Sequence, residues 1–120
     1  MALSIGFYGS RCKQSVLDNP QAAHVFIALC HLFAKIQWAT SPWVINCNEF
    51  DPKRYGYGIM GACVSREGIL SVETHSNRSI ATASLFLEKS TIGKDGIRAI
   101  EDCFRAVFGC AKPKIGIREF

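Results

Sequence analysis

The fold is decided by two runs of alternating residues, EGILSVETH from Glu67 to His75 and IATASLFLE from Ile80 to Glu88, which flank the polar segment SNRS. This pattern predicts two antiparallel strands joined by a tight turn. Side chains on a strand point alternately to its two faces, so one face of this hairpin is apolar. The opposite face carries Ile69, Ser71, Glu73 and His75 from the first strand and Ile80, Thr82, Ser84, Phe86 and Glu88 from the second.

Two carboxylates, Glu73 and Glu88, share this second face with the hydroxyl group of Ser71. Because they lie on adjacent strands, we expect them to be close enough to act together, and buried like charges would raise one pKa unless a cation sat between them. A half-solvated sheet whose polar residues simply face water has the same pattern. The alternation therefore leaves both interpretations open.

Size and composition indicate one globular domain over residues 1–120. Hydrophobic residues make up 48% of the chain and charged residues 20%, which argues against disorder. The formal charge of +4 comes from 14 basic and 10 acidic residues spread along the sequence, without a block of like charges. We therefore expect no nucleic-acid partner.

The six cysteines show no CxxC spacing and the three histidines are scattered, so no metal site is expected. The first residues, MALSIG, have neither the basic nor the extended apolar region of a signal peptide. We therefore expect reduced thiols and a cytoplasmic location. No apolar run approaches the roughly 18 residues that cross a bilayer, so no membrane partner is expected either.

The rest of the chain predicts a strand, a helix, several strands, a second helix and a last strand. The helix opening at Pro20, with Asn19 as N-cap, has an apolar stripe of Ala22, Val25, Phe26, Leu29, Phe33 and Ile36. The second helix is expected at Gly93–Phe108 and ends at Gly109. The other strands are expected at Leu3–Tyr8, Trp43–Phe50, Ile59–Arg66 and Ile115–Phe120, with a loop at Asp51–Tyr57. This order predicts an α+β fold, a two-layer α/β sandwich whose antiparallel sheet has two helices on one face.

Several segments, in this order, resemble the bacterial S-adenosylmethionine decarboxylases. They are Tyr8-Gly9, Val16–Pro20, Phe50–Pro52, Glu67–Thr74, Ala81–Phe86 and Ile115–Glu119. The resemblance covers nearly the whole chain, although the loop around residues 55–58 is about four residues longer than in the family. It implies a proenzyme that cuts itself between a Glu and a Ser. That Ser becomes a pyruvoyl group, which forms a Schiff base with the substrate amine and draws electrons during decarboxylation.

The chain departs from the family motif at three chemical positions. Glu67 matches the Glu before the cut, but Gly68 replaces the pyruvoyl-forming Ser. Glu73 stands where a catalytic His belongs and Glu88 where a catalytic Cys belongs, while Ser71 matches a serine on the strand. Glycine has no hydroxyl group to attack the preceding carbonyl, so no pyruvoyl cofactor is expected at position 68.

An alternative register would give the processing role to Ser65, with cleavage after Val64 and chains of 64 and 56 residues. The resemblance also implies aromatic side chains that stack on adenine, with Phe7 and Phe50 as candidates, and Glu67 as a ribose ligand. Core packing is the alternative role for both phenylalanines.

Three functions remain open from the sequence: binding of S-adenosylmethionine or a related cation without decarboxylation, catalysis on that substrate, and a non-catalytic partner subunit. Catalysis would use either the Ser65 pyruvoyl or Glu73 as the base of a cofactor-free lyase. In each case the uncovered sheet face, with Ile69 and Phe86, is expected to form a homodimer.

Overall fold

The structure, a computed structural model, describes residues 2–39, 41–88 and 92–120. Its strands form one antiparallel sheet with the order β2-β3-β4-β5-β1-β6. The strands are β1 (Leu3–Gly9), β2 (Trp43–Asn46), β3 (Ile59–Val64), β4 (Gly68–His75), β5 (Ile80–Leu87) and β6 (Lys114–Glu119). The helices are α1 (Gln14–Leu17), α2 (Pro20–Ala34), α3 (Pro52–Tyr55) and α4 (Lys94–Phe108).

Helices α2 and α4 pack side by side on one face of the sheet, which confirms the predicted two-layer α+β architecture. Their contact is aromatic: the ring of Phe26 on α2 lies 5.6 Å from Phe104 and 5.7 Å from Phe108 on α4, measured between centroids. All three rings are fully buried. No helix in the described part of the chain is both long and apolar enough to cross a membrane.

The central hairpin is confirmed in its strands and in its two faces. Burial alternates along β4 and β5, with Leu70, Val72 and Leu85 inaccessible under the helices. The strands pair with Ser71 opposite Ser84 and His75 opposite Ile80, and a 3-10 turn at Ser76–Arg78 connects them. Alternation and turn residues therefore predict this part of the fold without tertiary information.

The start of α2 is as expected, but its buried face matches the predicted stripe only in part, at Ala22 and Phe26. The side chain of Asn19 accepts a hydrogen bond from the backbone N–H of Gln21, and Pro20 occupies the first helical position. Val25, placed in the stripe, is 47% exposed, and the buried residues are Ala22, Ala23, Phe26, Ile27, Cys30 and Ala34. The helix is apolar around most of its circumference, so the sequence pattern alone does not determine which side faces the sheet.

The second strand is shorter than predicted. It ends at Asn46 because the Asn46 side chain accepts a hydrogen bond, 3.0 Å long, from the backbone N–H of Asn48 and caps a 3-10 turn at Cys47–Glu49. The expected loop after it contains α3. The end of α4 is confirmed, because Gly109 adopts the left-handed conformation with a φ of 69°.

Candidate functional site

The sheet face opposite α2 and α4, called the open face below, is not covered by any helix of the described chain. Side chains that pair directly across neighbouring strands lie on the same face, so the register defines rows across it. One row contains Met60, Glu73, Thr82 and Tyr8. The next row contains Ala62, Ser71, Ser84 and Gly6. Glu73 therefore lies beside a row of small residues.

These small side chains leave a depression next to Glu73. Its volume is about 260 Å³, and Ser71, Glu73, Thr82, Ala83 and Ser84 line it. Hydroxyl groups and one carboxylate thus surround a space in which a small polar group fits. The predicted grouping of Ser71 with Glu73 on this face agrees with the register.

The Glu73 carboxylate lies close to the imidazole of His75 on its own strand. The Oε2 atom of Glu73 lies 3.7 Å from Nε2 of His75, and both side chains are partly exposed. This contact is an ion pair only when the imidazole is protonated. When the His75 imidazole is neutral, the Glu73 carboxylate is free to offset the positive charge of a bound ligand.

A second, apolar depression of about 250 Å³ lies at the β2 and β3 side of Glu73. Ile45, Cys47, Phe50 and Met60 line it, and Met60 is the residue that pairs with Glu73. Phe50 is 64% exposed, so its ring is available to a ligand. An aromatic surface and a carboxylate are therefore neighbours on the open face, and stacking of Phe50 on adenine stays a prediction.

Cys47 is a member of this site that no sequence motif marks. Burial raises the pKa of its thiol, and the negative charge of Glu73 raises it further. The thiol is therefore close enough to the carboxylate for their charges to interact. No local sequence signal joins residues 47 and 73, because the pairing of β2, β3 and β4 brings them together.

Glu88 directly follows β5, the strand next to Glu73, but it is not near Glu73, which corrects the expectation that the two carboxylates act together within one chain. Glu73 pairs with Thr82, and Glu88 is six residues further along, so the separation is about 20 Å at 3.3 Å per residue. The backbone N–H of Glu88 instead donates to the carbonyl of Glu67, at 2.8 Å. Glu67 and Glu88 are thus neighbours at one end of the hairpin, and Glu73 lies towards the other.

Phe7 does not belong to this surface. Its side chain is 2% exposed and its ring stacks on Phe104 with centroids 5.8 Å apart, under the helices. On β1 it has the same parity as Leu3 and Ile5, which are also buried. The proposed stacking of Phe7 on adenine is therefore wrong for a ligand on the open face, and the alternative role in core packing is correct.

The backbone around Gly68 does not fit a pyruvoyl-forming residue. A Cβ atom at this position would lie 2.1 Å from the carbonyl oxygen of Phe86 and 3.1 Å from a methyl group of Leu87. Any side chain would require β4 and β5 to move apart. The residues present therefore do not fit the family's prosthetic group at position 68.

Ser65, the alternative processing residue, has a local structural role. Its hydroxyl oxygen accepts hydrogen bonds from the backbone N–H groups of Glu67, at 2.9 Å, and Gly68, at 3.1 Å. These contacts hold the turn between β3 and β4. Within residues 2–39, 41–88 and 92–120, no three metal-ligating side chains come together as a metal site.

The fold is that of a solved adenosylmethionine decarboxylase. The crystal structure of the adenosylmethionine decarboxylase from Aquifex aeolicus VF5 superposes with a TM-score of 0.74, covering 99% of this chain and 89% of that one. The sequences are 12% identical over this match, so the likeness concerns the fold. No protein-family model and no curated protein matches the sequence.

Proposed function

We propose that the protein is an S-adenosylmethionine decarboxylase homologue that binds S-adenosylmethionine or a related sulfonium without pyruvoyl-dependent decarboxylation. The observation that carries the proposal is the combination of Glu73 with the adjoining apolar depression at Phe50, on a fold in which position 68 has no room for a side chain. Glu73 and the apolar depression supply a binding surface. The crowded backbone at Gly68 leaves no space for the residue that forms the family's pyruvoyl cofactor.

The two depressions suit the two halves of such a ligand. A sulfonium is a permanent cation that needs a nearby negative charge when water is displaced, and Glu73 is the carboxylate on this part of the face. Adenine is a flat aromatic ring that stacks on phenylalanine. Phe50 is largely exposed and lines the apolar depression together with Met60, the residue on β3 that pairs with Glu73. Met60 lies between them and contributes a polarizable thioether to the same surface.

Catalysis by Glu73 is the second candidate function. A carboxylate beside the sulfonium would accept a proton from the carbon next to the sulfur-bound carbon of the amino-acid chain. The electrons of that carbon–hydrogen bond would form a carbon–carbon double bond as the carbon–sulfur bond breaks, which yields methylthioadenosine and an unsaturated amino acid without a cofactor. The partial exposure of Glu73 favours this role, since the carboxylate reaches the solvent side of the depression. A pyruvoyl group from Ser65 is the less favoured route to activity, because the Ser65 hydroxyl is already bonded within its turn.

The test of the proposed function is calorimetry with S-adenosylmethionine, followed by chromatography of the mixture. We expect binding by the native chain and about tenfold weaker binding by Glu73→Gln, equivalent to roughly 1.4 kcal/mol. Glu119→Gln is the matched control, because it removes one carboxylate from β6, away from the depression. Methylthioadenosine formed by the native chain and lost in Glu73→Gln would establish the lyase. Absence of both heat and product would reject the ligand and favour the partner subunit.

Homodimer formation through the open face is part of the same proposal. Four apolar side chains follow one edge of that face: Val64, Ile69, Phe86 and Phe120, each at least 38% exposed. They are contiguous, since Val64 and Phe86 each pair with Ile69 and the Phe86 ring lies 6.4 Å from Phe120. A patch of this kind in water favours association.

Light scattering tests the dimer. We expect the native chain at twice its 13.2 kDa mass and Phe86→Glu at the monomer mass, because the variant places a charge in the apolar patch. Val25→Glu is the control, since Val25 is an exposed apolar residue on α2 rather than on the open face. A native monomer at micromolar concentration, or equal dissociation by both variants, would contradict the proposed contact.

A further inference from the structure

Two buried thiols meet at the end of β1. The Sγ atom of Cys12 donates a hydrogen bond, 3.4 Å long, to the carbonyl oxygen of Gly9, and the Sγ atom of Cys110 lies against the same glycine. Their residues are 6% and 2% exposed. Nothing in the proposed ligand site uses either side chain, so their contact needs a separate account.

The two segments that carry these thiols are held together by the backbone. The N–H of Lys13 donates to the carbonyl of Phe108 at 3.0 Å, which fixes the chain after Cys12 against the end of α4. Gly9 provides the space, because a Cβ atom there would lie 2.7 Å from the Sγ atom of Cys110. The sequence separates the two cysteines by almost the whole chain, and the fold places them side by side.

A second pair of nearby cysteines, Cys30 and Cys103, is a useful comparison. The charge of one affects the other, but they lie within α2 and α4. Helical backbone hydrogen bonds fix the positions of both residues, which leaves them little freedom to reach the narrow geometry that a disulfide requires. Cys12 and Cys110 lie in connecting segments outside helices and strands, where the backbone can adjust to disulfide geometry.

We propose that Cys12 and Cys110 are a redox modification site that closes to an intramolecular disulfide on exposure to a peroxide. One thiol attacks the peroxide, becomes a sulfenic acid and releases water from hydrogen peroxide. The second thiol then displaces the sulfenic oxygen as another water and forms the sulfur–sulfur bond. Two thiols lose two electrons and two protons, and one hydrogen peroxide molecule is reduced to two water molecules. A thiol reductant restores the original pair.

The surroundings make the reaction slow at neutral pH. Burial raises the pKa of Cys12 to about 11, and Cys110 contributes to the same shift. Burial also raises the pKa of Cys110, although its hydrogen bond with Cys12 and the Arg105 charge act in the opposite direction. The thiolate is the reacting form, so oxidation is expected to accelerate by about tenfold per pH unit between pH 7 and 9.

The experiment is peroxide treatment of the full folded chain, followed by alkylation of the remaining thiols in denaturant. We expect an intact mass about 2 Da lower before alkylation, with four of the six thiols alkylated. A proteolytic digest should contain the Cys12 peptide joined to the Cys110 peptide, and reductant should separate them. The cross-link closes a very long loop, so the urea midpoint should rise by roughly 1 M or more.

The variants distinguish this site from general oxidation. Cys12→Ser and Cys110→Ser should each abolish the cross-link, and Cys103→Ser should keep it. Peptide mapping of the native chain gives the answer even where a variant folds poorly. A Cys30–Cys103 cross-link, addition of oxygen without any cross-link, or six unmodified thiols after treatment would each overturn the proposal. None of these outcomes depends on whether the protein binds S-adenosylmethionine.

Discussion

Gly68→Ser is expected to destabilise the protein by roughly 3 kcal/mol and to leave its chain uncut, although it restores the residue type of the self-processing motif. The new Cβ atom would lie 2.1 Å from the carbonyl oxygen of Phe86, well inside van der Waals contact. Relief requires β5 to move away from β4, which weakens the pairing between Gly68 and Leu87. A hydroxyl group alone therefore does not restore the geometry for attack on the preceding carbonyl.

Gly116→Ser is the matched control for this prediction. Gly116 is also a strand glycine, but no atom lies within 4 Å of its Cβ position, so its free energy of unfolding should change by less than about 1 kcal/mol. Urea denaturation measures both variants, and intact mass detects cleavage. A stable Gly68→Ser chain that splits and acquires an N-terminal ketone would show that the fold retains the processing geometry. The steric argument at position 68 would then be wrong, and the missing hydroxyl group of Gly68 alone would account for the loss of the cofactor.

Phe104→Ala is expected to cost about 3–5 kcal/mol of folding stability, the usual effect of removing a fully buried phenylalanine. The Phe104 ring contacts Phe7, Phe26 and Phe108, so its loss opens a cavity between the sheet and both long helices. The total stability of a domain of this size is about 5–15 kcal/mol, which makes partial unfolding at 37 °C the expected result.

Phe50→Ala is expected to affect ligand binding rather than folding stability. Because Phe50 is largely exposed, its truncation should change the unfolding free energy by less than about 0.5 kcal/mol while weakening the binding of S-adenosylmethionine. Thermal or urea denaturation and calorimetry together separate the two roles. Equal stability loss in both variants would contradict the division between a core phenylalanine and a surface phenylalanine.

The sequence predicts the faces of the hairpin better than it predicts distances along it. Alternation places Ser71, Glu73 and Glu88 on one face, but it does not determine which residues of the two strands lie opposite each other. The turn does contain that information: counting outward from His75 opposite Ile80 puts Glu73 opposite Thr82, six residues before Glu88. The same parity argument applied to Leu3, Ile5 and Phe7 would have placed Phe7 in the core.

Other features of the site depend on contacts that no short sequence pattern records. Cys47 approaches Glu73 only because β3 lies between β2 and β4, and strand order is a tertiary property. The early end of β2 follows from one side-chain hydrogen bond of Asn46, which competes with continued strand pairing. The lack of space for a side chain at Gly68 likewise results from the carbonyl of Phe86 on the neighbouring strand, a contact that no short sequence pattern predicts.

Ala2 and Phe120 lie side by side, since the backbone N–H of Phe120 donates to the carbonyl of Ala2 at 2.9 Å. Phe120 also approaches Phe86 on the open face. A purification tag attached to either end would therefore leave the molecule at the same corner, next to the apolar patch. Such a tag would partly cover the apolar patch and could change both the oligomeric mass and the ligand affinity. The tag should therefore be removed before either quantity is measured.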